Sequence, residues 1–114
     1  GMEDFIARDE INVSRKIGGG TYTEMWGGTY SFDIRSEGPP LNVTLGIVNI
    51  DMPEDVELYV PQQVFVPAGN QIWVDTTISS NASPEVDKTY HFKVICRSGN
   101  ETHVANFNIL VYIP

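Results

Sequence analysis

The stretch that most constrains this chain is residues 88–113, whose side chains alternate at a period of two over a length that calls for a pair of strands. Tyr90, Phe92, Val94 and Cys96 fall on one face, with His91, Lys93 and Arg97 on the other. Ser98, Gly99, Asn100 and Glu101 supply turn chemistry. Ala105, Phe107, Ile109, Val111 and Ile113 then share a face, opposite Asn106 and Asn108. Two apolar faces this long need a second sheet to cover them.

The upstream chain offers that sheet. Residues 11–17 set Ile11, Val13 and Ile17 against Asn12, Ser14 and Lys16, and residues 29–35 set Tyr30, Phe32 and Ile34 against Ser31, Asp33 and Arg35. Residues 41–50 send Leu41, Val43, Leu45 and Ile47 inward, after which Val48 and Ile50 take the opposite parity. That change predicts a bulge near Gly46 or a strand that leaves one sheet for the other. Val56, Leu58 and Val60 follow as an inward set, Pro61 interrupts, and Val64 and Val66 form a short edge segment. Residues 71–79 bury Ile72, Val74 and Ile78 and expose Trp73, Asp75 and Thr77. Residues 21–26 fit either a short strand or a loop. Turn signals separate these segments every eight to twelve residues, and no helical period interrupts them. The expectation is an all-β, antiparallel two-sheet β-sandwich of seven to nine strands over residues 11–114. Residues 1–10 read as a frayed or loosely docked acidic leader, with Gly1 ahead of Met2 in the manner of a residue left by an expression tag.

Composition narrows the partners. Fifteen acidic against seven basic residues give a formal net charge of -8, and the bases are scattered. Such a surface repels phosphate backbones and anionic lipid heads, which argues against nucleic acid and membrane-surface binding. No window reaches the roughly 18 to 20 apolar residues of a membrane-spanning helix. The single cysteine excludes an internal disulfide without fixing a redox compartment.

Val64-Phe65-Val66-Pro67-Ala68-Gly69 ahead of the strand at Gln71, followed by Tyr90-His91-Phe92-Lys93-Val94 ahead of Ser98-Gly99, resembles the immunoglobulin-like or fibronectin type III-like modules of prokaryotic surface and secreted proteins. The similarity is greatest to the cell-adhesion-related (CARDB-like) and α-galactosidase-associated groups, and it spans about three quarters of the chain from Gly28 onward. Asp87, three residues before Tyr90, is similar to the tyrosine corner of such domains. Cys96 has no partner cysteine and Leu45 stands where antibody-type domains bury a tryptophan, so an antibody-like domain is not expected. The resemblance implies an immunoglobulin-like sandwich acting as a spacer, adhesive or accessory module, without catalytic residues.

Four N-glycosylation acceptor triplets occur, at Asn12, Asn42, Asn81 and Asn100. With 8 Asn and 15 Ser and Thr, chance placement gives about one. The alternation places Asn12 and Asn42 on solvent faces, and Asn81 and Asn100 lie in loops, so all four could carry sugar. Turns and outer faces also favour these residue types for their own sake. Trp73, Tyr59 and Phe65 are expected to point outward on neighbouring segments, and Trp26 sits in the Gly-rich loop with Tyr22. Exposed aromatics can stack on sugars or anchor a protein interface, or pack under loops.

Other constellations favour plain structural readings. Cys96 with His91 or His103 would make a nucleophile and base, but Cys96 faces inward with Phe92 and Val94. Gly18-Gly19-Gly20 and Gly27-Gly28 lack the Lys-Ser/Thr and helix of a phosphate loop. Asp51, Glu54, Asp55 and Glu57 lack the spacing of an EF-hand calcium loop and read as a solvated turn. No catalytic, metal or cofactor site is expected. The sequence thus points to a non-catalytic structural, spacer or adhesion module of a secreted or cell-surface protein, with protein or polysaccharide as partner. The alternative is a carbohydrate-binding module using the exposed aromatics.

Overall fold

The computed structural model describes residues 5–7, 10–16, 27–79, 85 and 87–112. Nine strands run through them: β1 Phe5–Ala7, β2 Glu10–Lys16, β3 Gly27–Ser36, β4 Leu41–Asn49, β5 Glu57–Tyr59, β6 Gln63–Val66, β7 Gln71–Ser79, β8 Lys88–Ser98 and β9 Glu101–Tyr112. They form two sheets, one ordered β1-β3-β7-β5 and the other β2-β9-β8-β4-β6. All pairings are antiparallel except that of β2 with β9. The result is the expected immunoglobulin-like β-sandwich.

The hairpin of β8 and β9 sits inside the five-stranded sheet, flanked by β2 and β4. Its turn is tight, with Ser98 paired to Glu101 and Gly99 at φ 59°, the left-handed region that a primed hairpin turn demands at its first central position. Tyr90, Phe92, Val94 and Cys96 on β8 and Ala105, Phe107, Ile109 and Val111 on β9 are all buried. Phe107 stacks on Phe92 at 4.6 Å within this sheet and meets Phe32 of the opposite sheet edge-on at 5.8 Å. Ile34, Val74 and Ile78 complete the facing layer.

Tyr90 anchors the entry to β8. Its hydroxyl accepts the backbone N–H of Glu85 at 3.0 Å, which is a tyrosine corner closed on Glu85 and not on Asp87. Asp87 turns the chain instead, at φ 56°, and donates its N–H to the Val111 carbonyl at 2.7 Å.

Two expectations are corrected. The register of β4 with β8 runs without offset from Thr44 opposite Arg97 to Asn49 opposite Phe92, so no bulge or sheet change occurs at Gly46. Val48 and Ile50 are simply apolar residues on the outward parity, 38% and 56% exposed. The change of sheet lies at Pro61, where a strand loses a donor and can leave its ladder. Before it, β5 pairs with β7 in the four-stranded sheet; after it, β6 pairs with β4 in the five-stranded sheet. The second correction concerns the leader. Phe5–Ala7 pair with β3, Ala7 is buried, and Glu10 opens β2, so these residues belong to the sandwich.

Candidate functional site

The outer face of the four-stranded sheet carries the most exposed large apolar side chain among the described residues. Ile72 is half-buried and Val74 is buried, so the pleat forces Trp73 between them outward, where it is 63% exposed. Ser31, paired to Asp75 across the sheet, is small and leaves space beside the indole. A cleft of about 350 Å3 results, lined by Glu10, Ile11 and Asn12 of β2 together with Ser31 and Trp73. Its polar groups are held in place. Ser31 donates its hydroxyl to Asp75 Oδ1 at 2.6 Å, and Asn108 Nδ2 donates to Glu10 Oε2 at 2.7 Å and to Asn12 Oδ1 at 3.0 Å. A flat apolar ring beside fixed carboxylate and amide groups can stack a ligand on one side and hydrogen-bond it on the other.

Tyr59 and Phe65 do not line this cleft. Tyr59 is on the edge strand β5, paired to Thr77, and donates its hydroxyl to Glu57 Oε2 at 2.8 Å. That bond and the carboxylate charge raise the tyrosine above its ordinary pKa. Phe65, 57% exposed, is paired to Asn42 in the five-stranded sheet, on the opposite side of the sandwich from Trp73. Trp26 lies outside the described residues, as do Tyr22 and Gly18-Gly19-Gly20. Of the sequon residues, Asn12, Asn42 and Asn100 are exposed, and Asn81 lies outside the described residues. The bond from Asn108 uses only the oxygen of Asn12, leaving the amide nitrogen that a glycan would take.

The catalytic candidates are brought near one another without being activated. His103 is the cross-strand partner of Cys96, yet Cys96 is fully buried and desolvation pushes its thiol up to about 12, the opposite of what a nucleophile needs. His91 is drawn to Asp51 instead. The Asp51 carboxylate accepts the His91 backbone N–H at 2.5 Å and faces ring Nδ1 at 2.7 Å, while the Asp51 N–H donates to the His91 carbonyl at 3.3 Å. Partial burial pushes the Asp51 carboxyl up, but the bonds from the His91 ring and backbone and the attraction of that ring and of Lys88 outweigh it, holding the group below its ordinary value. With Asp51 turned to His91 and Glu57 turned to Tyr59, the acidic turn does not converge. Among the described residues, no group of three or more His, Cys, Asp or Glu is placed to hold a metal ion, and no helix is long and apolar enough to cross a membrane.

A smaller depression of about 180 Å3 lies on the other sheet, lined by Thr44, Leu45, Gly46, Ile47, Val48, Ile95 and Arg97. It exists because Gly46 has no side chain to fill it. Sequence reasoning did not single out Glu10 or Ser31 as cleft residues, or Asn108 as the group that holds Glu10 and Asn12. The signal was absent, since only the parallel pairing of β2 with β9 sets Asn12 opposite Asn108.

The sequence matches no protein-family profile and no curated protein. The fold is similar to solved structures. The secreted serine protease VesC from Vibrio cholerae superposes with a TM-score of 0.60 at 10% identity over 94% of this chain and 23% of that one. The FixG-related protein from Vibrio parahaemolyticus gives 0.55 at 12% identity over 74% of this chain and 77% of that one. The periplasmic chaperone SfaE gives 0.59 at 8% identity over 95% and 57%. The chain thus spans under a quarter of the protease and rather more than half of the chaperone, and at these identities the likeness is one of fold.

Proposed function

We propose that this chain is a non-catalytic structural or adhesive module of an exported or cell-surface protein, of the kind found in the CARDB-like and α-galactosidase-associated groups. The carrying observation is the contrast in accessibility. Its one thiol is buried and held protonated, and its closest imidazole and carboxylate are locked to each other, whereas Trp73 and its polar cleft stand open. A hydrogen-bonded sandwich with a fixed aromatic platform holds its neighbours apart and offers a face to a protein. Secreted and periplasmic proteins among the similar folds support the location. Fractionation of the source cells, with intact-mass analysis of the recovered protein, tests this. The expected result is recovery from the envelope or medium, with any sugar on Asn12, Asn42 or Asn100 adding to the case. Recovery from the cytosol alone overturns it.

The cleft favours one second reading, a carbohydrate-binding module, because an exposed indole flanked by Glu10, Asn12 and Ser31 has the makings of a stacking platform. Titration with soluble polysaccharides followed by tryptophan fluorescence separates the two. Saturable quenching lost in Trp73→Ala supports the sugar reading, and a flat response across a polysaccharide panel favours protein contacts.

A further inference from the structure

β3 pairs with β7 along its full length, but on the other side of β7 the short β5 covers only Ser79 to Thr77. The Asn70 carbonyl accepts the Ser36 N–H on the β3 side. Backbone groups alternate sides residue by residue in an antiparallel strand, so Ile72, Val74 and Thr76 direct theirs to β3. Gln71, Trp73 and Asp75 direct theirs to the uncovered side. No backbone bond among the described residues reaches them there.

Proteins ordinarily blunt such an edge with lysine, proline or a bulge. Residues 71–76 contain no lysine or proline, and the register with β3 is unbroken from Arg35 opposite Gln71 to Gly27 opposite Ser79. We propose that this edge pairs antiparallel with the same edge of a second copy, about a twofold axis through Trp73.

Two features select a second copy as the occupant. The available window is bounded by the turn at Gly69, φ 63°, and Asn70 on one side and by β5 at Thr77 on the other. Within it the three free residues are symmetric about Trp73, so the stretch fits itself. The charges then decide the register. Centring on Trp73 sets each Gln71 opposite Asp75 of the other copy, an amide facing a carboxylate. Centring on Asp75 would oppose two carboxylates, centring on Gln71 would run the pairing into the turn, and centring on Ile72 or Val74 would pair only two of the three edge residues, setting the third against the turn or against Thr77, which β5 already holds. In the surviving register Gln71, Trp73 and Asp75 each exchange N–H and C=O with the copy, and the two exposed indoles flank the axis. Against this works the net charge of -8 on each chain, which makes the association weak at low salt and stronger as salt screens the repulsion.

This inference stands apart from the exported-module reading, because it is tested on the purified chain whatever its compartment. Sedimentation velocity up to about 1 mM protein should show a monomer–dimer equilibrium that tightens with salt. Gln71→Lys places opposite charges across the axis twice and should tighten the dimer about fivefold at low salt, whereas Gln71→Asp should loosen it about fivefold. Trp73→Lys, at an exposed position that does not disturb the fold, should leave only monomer. Amide exchange locates the contact, since the Trp73 and Asp75 amides should slow as concentration rises while the Ile47 amide, beyond the reach of β6 on β4, does not change. A parent chain that stays monomeric, Gln71 variants that shift together or not at all, a dimeric Trp73→Lys, or concentration-dependent protection at Ile47 in place of Trp73 would each overturn the proposal.

Discussion

Strands β8 and β7 alternate in the same way, with apolar side chains inward and polar ones mostly outward, but they meet different neighbours. β8 lies between β4 and β9, and its longest partner matches it from Lys88 to Ser98. β7 has one full partner and one three-residue partner, and its outward row includes an indole. The difference comes from a single event, the change of sheet at Pro61, which takes the strand that would have covered β7 and gives it to β4. One sheet is thereby closed around the core hairpin. The other is left with unpaired backbone along β7 beside an exposed indole, the face that the proposed contacts would use.

The contrast is sharpest between two aromatics of similar size, Phe107 and Trp73. Phe107 is fully buried and is the ring that touches aromatics of both sheets. Phe107→Ala should cost about 4 kcal/mol of unfolding free energy, combining lost transfer energy with the cavity between Phe92 and Phe32. Urea denaturation followed by circular dichroism measures it. A loss under about 1 kcal/mol would mean that the two sheets are not joined through this ring and would break the contrast at its closed end.

The next effect belongs to the corner that feeds the hairpin. Tyr90→Phe keeps the buried ring and removes the oxygen that accepts the Glu85 N–H, so it should cost about 1 kcal/mol without changing the denaturant slope. A neutral result would show that the corner is held by its other contacts, the Asp87 N–H to the Val111 carbonyl and the Lys88–Glu85 ion pair among them.

Much of this was legible from parity. Phe32, Val74 and Phe107 were placed inward and Trp73 and Tyr59 outward because a period of two reports which face a residue takes, and burial follows the face. Parity does not report which sheet a strand joins. Val48 and Ile50 therefore suggest a bulge or a switch of sheet at Gly46, while the donor lost at Pro61 signals only a break. The same blindness grouped Phe65 with Trp73, although they lie on opposite outer faces. The cleft was illegible for a related reason. Asn12 and Asn108 are 96 residues apart, and only the parallel pairing of β2 with β9 sets them side by side. His91 is legible as an outward strand residue and Asp51 as part of a solvated turn, but the bonds between them depend on how the turn after β4 folds back on β8.

That latch tests whether a polar contact outside the core matters to the closed sheet. The folded state holds the Asp51 carboxyl below its ordinary value of 3.8, so the native protein binds fewer protons there than the unfolded chain. Its contribution is complete above that value and is lost as pH falls from about 3.8 through the lower folded pKa. Both side chains are about 40% exposed, and solvent screening keeps the effect below about 1 kcal/mol. The difference in stability between the parent and Asp51→Asn should therefore shrink as acid is added, and a difference that stays constant down to pH 3 would remove the carboxylate from the account.

The smallest effect on stability is expected at the residue given the largest role in recognition. Trp73→Ala removes a side chain that is 63% exposed and leaves the backbone ladder to β3 intact, so stability should move by no more than about 0.5 kcal/mol. If it falls by 2 kcal/mol or more, the indole is a structural lid over Ser31 and Ile11, and the open sheet is closed by its own side chain. If stability holds while self-association or sugar binding is lost, the exposure is not compensated within the fold. Exposure alone does not set the indole apart, since Phe65 and Ile50 are nearly as exposed; a loss of binding at constant stability would, because it assigns the ring to a partner and not to the core.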